Sequence, residues 1–146
     1  MKKEIHKAAE RGKSDLGWLH SRFSFSFADY YNPYKIGFGA LRILNDDIIE
    51  PKKGFGAHSH ANMEIITIVT EGELEHKDSG GVSEIITPGE IQVMSAGTGI
   101  THSEYNHSNH KQLKLFQIWI TPKTLDVAPR YDTKPYLLIK NKLTPV

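Results

Sequence analysis

The chain has 146 residues, of which 38% are hydrophobic and 24% charged, with a formal net charge of +1 and no cysteine. This composition fits one globular domain and excludes collagen-like, coiled-coil, disulfide-framework and thiolate-metal classes. The balanced charge excludes a basic nucleic-acid footprint, and we find neither a signal peptide nor an apolar run of membrane-spanning length. We therefore expect a soluble, cytoplasmic protein that makes no direct contact with nucleic acid or membrane.

The first forty residues contain a segment compatible with a helix, a predicted strand and a tyrosine-rich loop. Segment 2–12 is compatible with a helix. Three phenylalanines then alternate with two serines, which predicts a strand that has one apolar and one polar face and covers one side of a barrel. The residues in question are Phe23, Phe25 and Phe27, with Ser24 and Ser26 between them. Three tyrosines in the following loop, Tyr30, Tyr31 and Tyr34, are candidates for the rim of a site.

Beyond this region, short apolar runs alternate with turn signals, as in an all-β barrel or sandwich. We predict strands at 38–44, 64–70, 83–86, 91–94 and 113–120. Segment 72–76 is predicted to begin the return arm of a hairpin, and the Asp-Ser-Gly-Gly stretch at 78–81 to form a turn.

Two residue pairs with i, i+2 spacing carry the clearest chemical signal: His58 with His60, and His102 with Glu104. Residues i and i+2 of a β-strand point to the same face, so two neighbouring strands would aim three imidazoles and one carboxylate at one point. Such a donor set suits a first-row divalent metal ion. The pattern predicts a mononuclear metal site on a β scaffold.

Other ionisable residues compete for roles near this site. Glu64 follows the first pair at HxHxxxE spacing and is the alternative carboxylate ligand, although Glu104 shares a strand face with His102. His76 is expected to hydrogen-bond behind the site. His107 and His110 lie in a polar stretch and are expected at the surface.

The glycine and proline turns that bracket these pairs are similar to the two motifs of the cupin superfamily. Segments 15–33, 37–47, 58–79 and 88–108, and above all the string MSAGTGITHSE at 94–104, resemble the pirin family. The resemblance covers about residues 14–135 and implies an all-β, cupin-type barrel (a double-stranded β-helix). It also implies that the metal ligands are His58, His60, His102 and Glu104.

The pirin family carries a second barrel, which would follow near the point where this sequence stops. We expect residues 1–146 to form a single pirin-like N-terminal cupin domain, either as a truncated version or as a one-barrel protein that uses a partner instead. The apolar tail residues Tyr136, Leu137, Leu138 and Ile139, with Leu125 and Val127, are expected to be covered in a homodimer, or else to fold back over their own barrel.

Two functions are compatible with the resemblance. One is a dioxygenase of the quercetin 2,3-dioxygenase type, which would take a flavonol substrate and use Glu104 as general base. The other is a metal-bound regulatory or protein-binding module without turnover. A purely structural metal is disfavoured, because structural sites are typically closed and cysteine-rich. Iron is the expected ion, and nickel, copper, manganese and zinc are also compatible with these ligands.

Overall fold

The computed structural model describes residue 5 and residues 7–136, and within them the fold is two antiparallel β-sheets. The larger sheet contains β1 (Gly12–Asp15), β2 (Leu19–Phe23), β3 (Leu41–Ile49), β5 (Glu64–Glu71), β8 (Glu90–Ser95), β10 (Leu113–Ile120) and β11 (Arg130–Pro135). The smaller sheet contains β4 (Gly54–His60), β6 (Leu74–Asp78), β7 (Ser83–Ile86) and β9 (Ile100–Asn106). The predicted all-β, cupin-type class is confirmed.

The strands pair in the order β1-β2-β3-β10-β5-β8-β11 in the larger sheet and β4-β9-β6-β7 in the smaller sheet. The helix considered for segment 2–12 is wrong where the structure describes it, since only a 3-10 turn at Ala8–Glu10 precedes β1. Among the described residues, we find no helix with the length and apolar character needed to cross a membrane.

Two predicted elements pair or begin differently from expectation. The predicted strand at 38–44 begins only at Leu41 and continues to Ile49, while Phe38 stays 74% exposed. The hairpin predicted at 72–76 is wrong, because β6 pairs with β7 and β9 in the smaller sheet instead of with β5. Gly72, with φ of +85°, lies at the point where the chain passes between sheets. A Cβ atom there would lie 2.6 Å from the Gln112 carbonyl oxygen.

The alternating phenylalanine segment is not an amphipathic strand. β2 ends at Phe23, and both Ser24 and Ser26 are buried, at 4% and 6% exposure. The backbone N–H of Ser24 donates to the Leu44 carbonyl of β3, and the Ser26 hydroxyl donates to the Asn32 carbonyl in the following loop. Local alternation predicted an exposed polar face, but the chain leaves the sheet here and packs both faces inward.

The barrel interior is layered. One apolar cluster consists of Leu19, Ile49, Val69, Leu74, Ile86, Leu113 and Leu115, and a second of Ile65, Met94, Ala96 and Ile100. On β5, Thr67 lies between Ile65 and Val69 on the inward face, and so separates the two clusters. Strand register aligns Thr67 with Gln117 and Gln92, and Gln117 with Asn45. We call these four residues, Asn45, Gln117, Thr67 and Gln92, the polar row.

Candidate metal centre

The pairing of β4 with β9 brings the predicted histidines together. His58 lies directly opposite His102, and the register shifts between Phe55 and His58. Phe55 and His58 are three positions apart, so a regular strand would send them to opposite faces, whereas the β-bulge lets both face the interior. Gly54 permits the close approach of the two strands, because a Cβ atom there would lie 2.1 Å from the Glu104 carbonyl oxygen.

The three imidazoles of His58, His60 and His102 form a compact cluster. Ring centroids are 4.9 Å apart for His58 and His60, 4.4 Å for His58 and His102, and 5.0 Å for His60 and His102. One candidate ligand atom from each ring lies within 4.8 Å of the others. Nδ1 of His58 donates to the Gly56 carbonyl at 2.8 Å, which leaves Nε2 as its metal-binding atom.

Two rings of the cluster, those of His60 and His102, are held in the neutral state. Burial, followed by the charge of His58, lowers the pKa of His60 to about 4. Burial, followed by the charges of His58 and His60, lowers the pKa of His102 to about 3. Histidine must be neutral to bind a metal ion, so at pH 7 these two rings need no deprotonation before ligation.

Glu104 lies beside this cluster rather than at its centre. Its side chain is buried, and Oε2 accepts a hydrogen bond from Nε2 of Gln117 at 2.9 Å. Its ligand atom lies within 4.8 Å of those of His102 and His76, and Glu104 lines the same cavity as His58 and His60. Burial raises the pKa of Glu104 to about 7, against the opposing effect of the Gln117 hydrogen bond.

His76 has a supporting position, as predicted. It is fully buried, its Nε2 donates to Oδ2 of Asp78 at 3.0 Å, and its Nδ1 accepts from Nε2 of Gln92 at 2.9 Å. The ring stacks on Tyr131 with centroids 4.7 Å apart, and lies 5.3 Å from the ring of His102. Because both nitrogens are engaged, His76 orders the wall behind His102 and does not offer a lone pair to a metal ion.

The remaining candidates lie away from the cluster. Glu64 precedes the inward-facing Ile65, and accepts a hydrogen bond from the Ser95 hydroxyl at 2.5 Å. Glu104 thus lies beside the histidine cluster, and Glu64 is not among the residues that line the cavity there. His107 pairs with Glu75 at 3.1 Å, and His110 is exposed, as predicted.

A cavity of about 280 Å³ opens in front of the histidines and Glu104. Its apolar walls include the aromatic side chains of Phe23, Phe27, Phe55 and Trp119. Phe23 and Phe27, predicted only as a barrel cover, thus line the site. Of the rim candidates, Tyr30 and Tyr31 line an adjoining cavity of about 350 Å³ that shares Phe27 and Trp119, while Tyr34 is 95% exposed.

Several buried polar atoms in this site, all of types that can bind a metal ion, have no hydrogen-bond partner among the residues described. Both ring nitrogens of His102 and Oε1 of Glu104 are in this state. Unpartnered buried polar atoms are costly, and a bound cation would satisfy them. With Nε2 of His58 also oriented by its backbone contact, the residues fit one divalent metal ion with nitrogen and oxygen ligands.

Sequence reasoning missed Gln117 and the rest of the polar row. The available signal was the alternation of strand residues between the two faces of a sheet. In β10, Gln117 lies on the same face as the buried Leu113 and Leu115, so a polar residue occupies an inward position. A polar residue on the core face of an apolar strand calls for a partner, and here that partner is Glu104.

Comparison with known proteins agrees with this geometry. The chain is 51% identical over 138 residues to a protein of Escherichia coli K12 named quercetin 2,3-dioxygenase, an alignment that covers 94% of this chain and 60% of the relative. It is 47% identical to a pirin-like protein of Caulobacter vibrioides, over 86% of this chain and 53% of that protein. A solved structure of the bacterial pirin YhhW from Escherichia coli in complex with nickel(II) superposes with a TM-score of 0.88 at 52% identity, covering 90% of this chain and 57% of that one.

The chain thus spans somewhat more than half the length of the relatives that it matches. The sequence profile of one family, described as Pirin, matches residues 4–120. This match and the cluster of three histidines beside the buried Glu104 agree with the resemblance read from the sequence, and the chain belongs to the pirin family.

Proposed function

We propose that this protein is a metal-dependent dioxygenase that acts on flavonols of the quercetin type. The observation that carries the proposal is the cluster of three histidines and Glu104 beside an aromatic-walled cavity. Within this cluster the nitrogens of His102 and Oε1 of Glu104 are buried without a partner among the described residues. Support also comes from the Escherichia coli relative that is named for this activity. Since the chain spans only part of that relative, the activity of the whole relative is carried over here as a proposal.

The ligands in this proposal are His58, His60, His102 and Glu104. Iron is the ion expected from the sequence, and the nickel(II) bound in the related pirin structure supports nickel equally. When bound, the ion would supply Lewis-acid stabilisation of a deprotonated hydroxyl and a site for dioxygen chemistry.

The side chains of the cavity suit a planar aromatic ligand. Phe27 and Trp119 meet edge to face with centroids 5.6 Å apart, and Trp119 also lies against His60 at 4.9 Å. These rings would contact a flat ligand and exclude water from the histidine cluster. Glu104 is suited to accept the proton of an acidic hydroxyl, because it lines this cavity and its Oε1 has no hydrogen-bond partner among the described residues.

The direct test is turnover of quercetin by the metal-loaded protein. We expect loss of the flavonol absorbance together with consumption of dioxygen. His60→Ala should abolish both while its circular dichroism stays that of a β protein, and His110→Ala, at an exposed position, should leave both unchanged. Absence of dioxygen-dependent loss of quercetin with iron and with nickel would refute the proposal.

A second candidate is a regulatory module that binds protein partners without turnover. The observation that favours it is an exposed aromatic loop, in which Tyr31, Tyr34 and Phe38 are 73%, 95% and 74% exposed. The quercetin assay separates the two functions, because the regulatory module predicts a loaded metal centre without loss of flavonol.

A further inference from the structure

The cavity in front of the histidines has a second polar wall, formed by β3. Asn45 and Asp47 occupy successive inward positions of this strand, between the buried Ile43 and Ile49. They are 2% and 4% exposed, and both line the same cavity as His58, His60 and Glu104.

Each of these two residues carries an oxygen that no protein group satisfies. Oδ1 of Asn45 and Oδ1 of Asp47 are buried and lack a hydrogen-bond partner within the described part of the chain. The adjacent Asp46 differs, since it points to the other face of the sheet and pairs with Arg11 at 3.3 Å. No lysine or arginine is among the residues that line the cavity. Ser21 lies opposite Asp47 in the strand pairing, and the charged groups that interact with Asp47, namely Asp46 and Glu104, are both acidic.

An unsatisfied acceptor costs stability comparable to a lost hydrogen bond, and hydrophobic residues at 45 and 47 would continue the apolar face of β3. Two adjacent acceptors at the wall of an open cavity are instead suited to a ligand that brings donors. One of these oxygens belongs to an amide and the other to a carboxyl group, and both are acceptors, so they match the hydroxyl donors of a ligand.

We propose that Asn45 and Asp47 form a hydroxyl-binding subsite, which holds a second hydroxyl group of a planar polyhydroxylated aromatic substrate. The first hydroxyl of that substrate would face the histidine cluster, and the aromatic walls would contact the rings between them. This inference rests on the proposed function, since it specifies how the same cavity selects among flavonols. It makes Asn45 and Asp47 specificity-determining residues.

The test compares two ligands that share the 3-hydroxyl and keto group. Quercetin carries further hydroxyl groups, and 3-hydroxyflavone carries none. Dissociation constants would be measured by quenching of tryptophan fluorescence in the metal-loaded protein, for the wild type, Asp47→Leu and Asn45→Leu. We expect each variant to bind quercetin about tenfold more weakly, because one ligand hydroxyl loses its acceptor, and 3-hydroxyflavone with less than a twofold change.

Asp46→Asn is the matched control. It changes the same chemical group one position along β3, on the opposite face, and should leave both dissociation constants unchanged. Asp47→Asn keeps the shape of the side chain and an acceptor oxygen, so it should bind quercetin nearly as well as the wild type. Asp47→Ala removes the acceptor with a smaller side chain, so it should weaken quercetin binding selectively even if Asp47→Leu does not fold.

The outcomes are distinct from those of the turnover assay. An equal loss of affinity for both flavonols in the variants, no loss for either, or no binding of quercetin to the wild type would overturn the subsite. Selective loss for quercetin would support it, whether or not quercetin is turned over. Binding of quercetin without dioxygen-dependent turnover would refute the proposed activity alone.

Discussion

At the scale of single residues, the candidate metal centre depends on neighbours that orient each ligand. The hydrogen bond to the Gly56 carbonyl leaves Nε2 of His58 as its metal-binding atom. Gln117 holds one oxygen of Glu104, and the other oxygen has no partner among the described residues. Groups that hydrogen-bond to metal ligands fix their orientation, and their loss typically weakens metal binding.

The first prediction concerns Gln117. Gln117→Leu removes the amide that donates to Glu104, so the carboxylate loses its orientation and its most direct stabilising contact. We expect the dissociation constant for nickel or iron to rise by about ten- to a hundredfold. Competition with a chromophoric chelator measures this. Gln112→Leu, which removes an exposed amide bonded to Glu50, is the control, and an equal effect of both substitutions would contradict the assigned role.

The second prediction is the pH dependence of metal binding. In the metal-free protein Glu104 has a pKa of about 7, whereas His60 and His102 have pKa values of about 4 and 3. As the pH falls below 7, protons therefore compete with the metal first at Glu104, and at these two histidines only in stronger acid. One competing proton weakens binding by about tenfold per pH unit, and we expect a slope at least this steep between pH 6.5 and 4.5.

The control for that prediction is Glu104→Gln, which cannot take up the proton. Its metal affinity should be lower at pH 8 and should fall by less per pH unit than that of the wild type between pH 6.5 and 4.5. An unchanged slope in this variant would mean that the proton is taken up elsewhere, and would contradict the role of Glu104.

At the scale of elements, the junction of β4 and β9 determines the site. The bulge between Phe55 and His58 sets which residues face inward, and Gly54 sets how closely the strands approach. Both features are properties of the backbone, so a change in the bulge or at Gly54 should displace all the candidate ligands together.

The third prediction follows from that close approach. In Gly54→Ala the added methyl group would lie 2.1 Å from the Glu104 carbonyl oxygen, so β4 must move away from β9. We expect a loss of about 1–3 kcal/mol in the free energy of unfolding, typical of overpacking, and weaker metal binding. Urea denaturation measures the first effect. Gly56→Ala, whose Cβ would lie 3.6 Å from the Tyr105 hydroxyl, should be close to neutral, and a similar loss there would contradict the explanation.

Sequence reasoning succeeded where the signal was local. The strand at Leu113–Ile120 was predicted with its observed bounds, and the i, i+2 pairs placed His58, His60 and His102 together, because strand periodicity needs only neighbouring residues. It failed where pairing between distant segments decides the outcome. The partner of β6 and the burial of Ser24 depend on how the two sheets meet. The lowered pKa values of His60 and His102 also depend on burial, and burial cannot be predicted from the order of residues along the chain.

At the scale of the whole molecule, the polar row separates the binding chemistry from the packing that holds the barrel. Gln117 and Gln92 reach across from the larger sheet to Glu104 and His76 of the smaller sheet, between the two apolar clusters. The clusters contain none of the candidate ligands, so the barrel does not depend on the metal for its core. This is why His60→Ala is expected to remain folded, and why loss of metal and loss of fold should be separable.

The last prediction concerns assembly, which the described residues do not test. Leu137, Leu138 and Ile139, part of the surface expected to be covered, lie outside the described residues, while Leu125 within them is 58% exposed and Val127 is half-buried. β11 is an edge strand of the larger sheet, and an edge strand offers unpaired backbone groups to a second copy across a two-fold axis. We expect a homodimer of twice 16.5 kDa in sedimentation, and a shift toward monomer in Leu125→Ser. Ile85→Ser, at a similarly exposed position on β7 of the other sheet, should leave the mass unchanged, and a wild-type monomer across a wide concentration range would exclude the dimer.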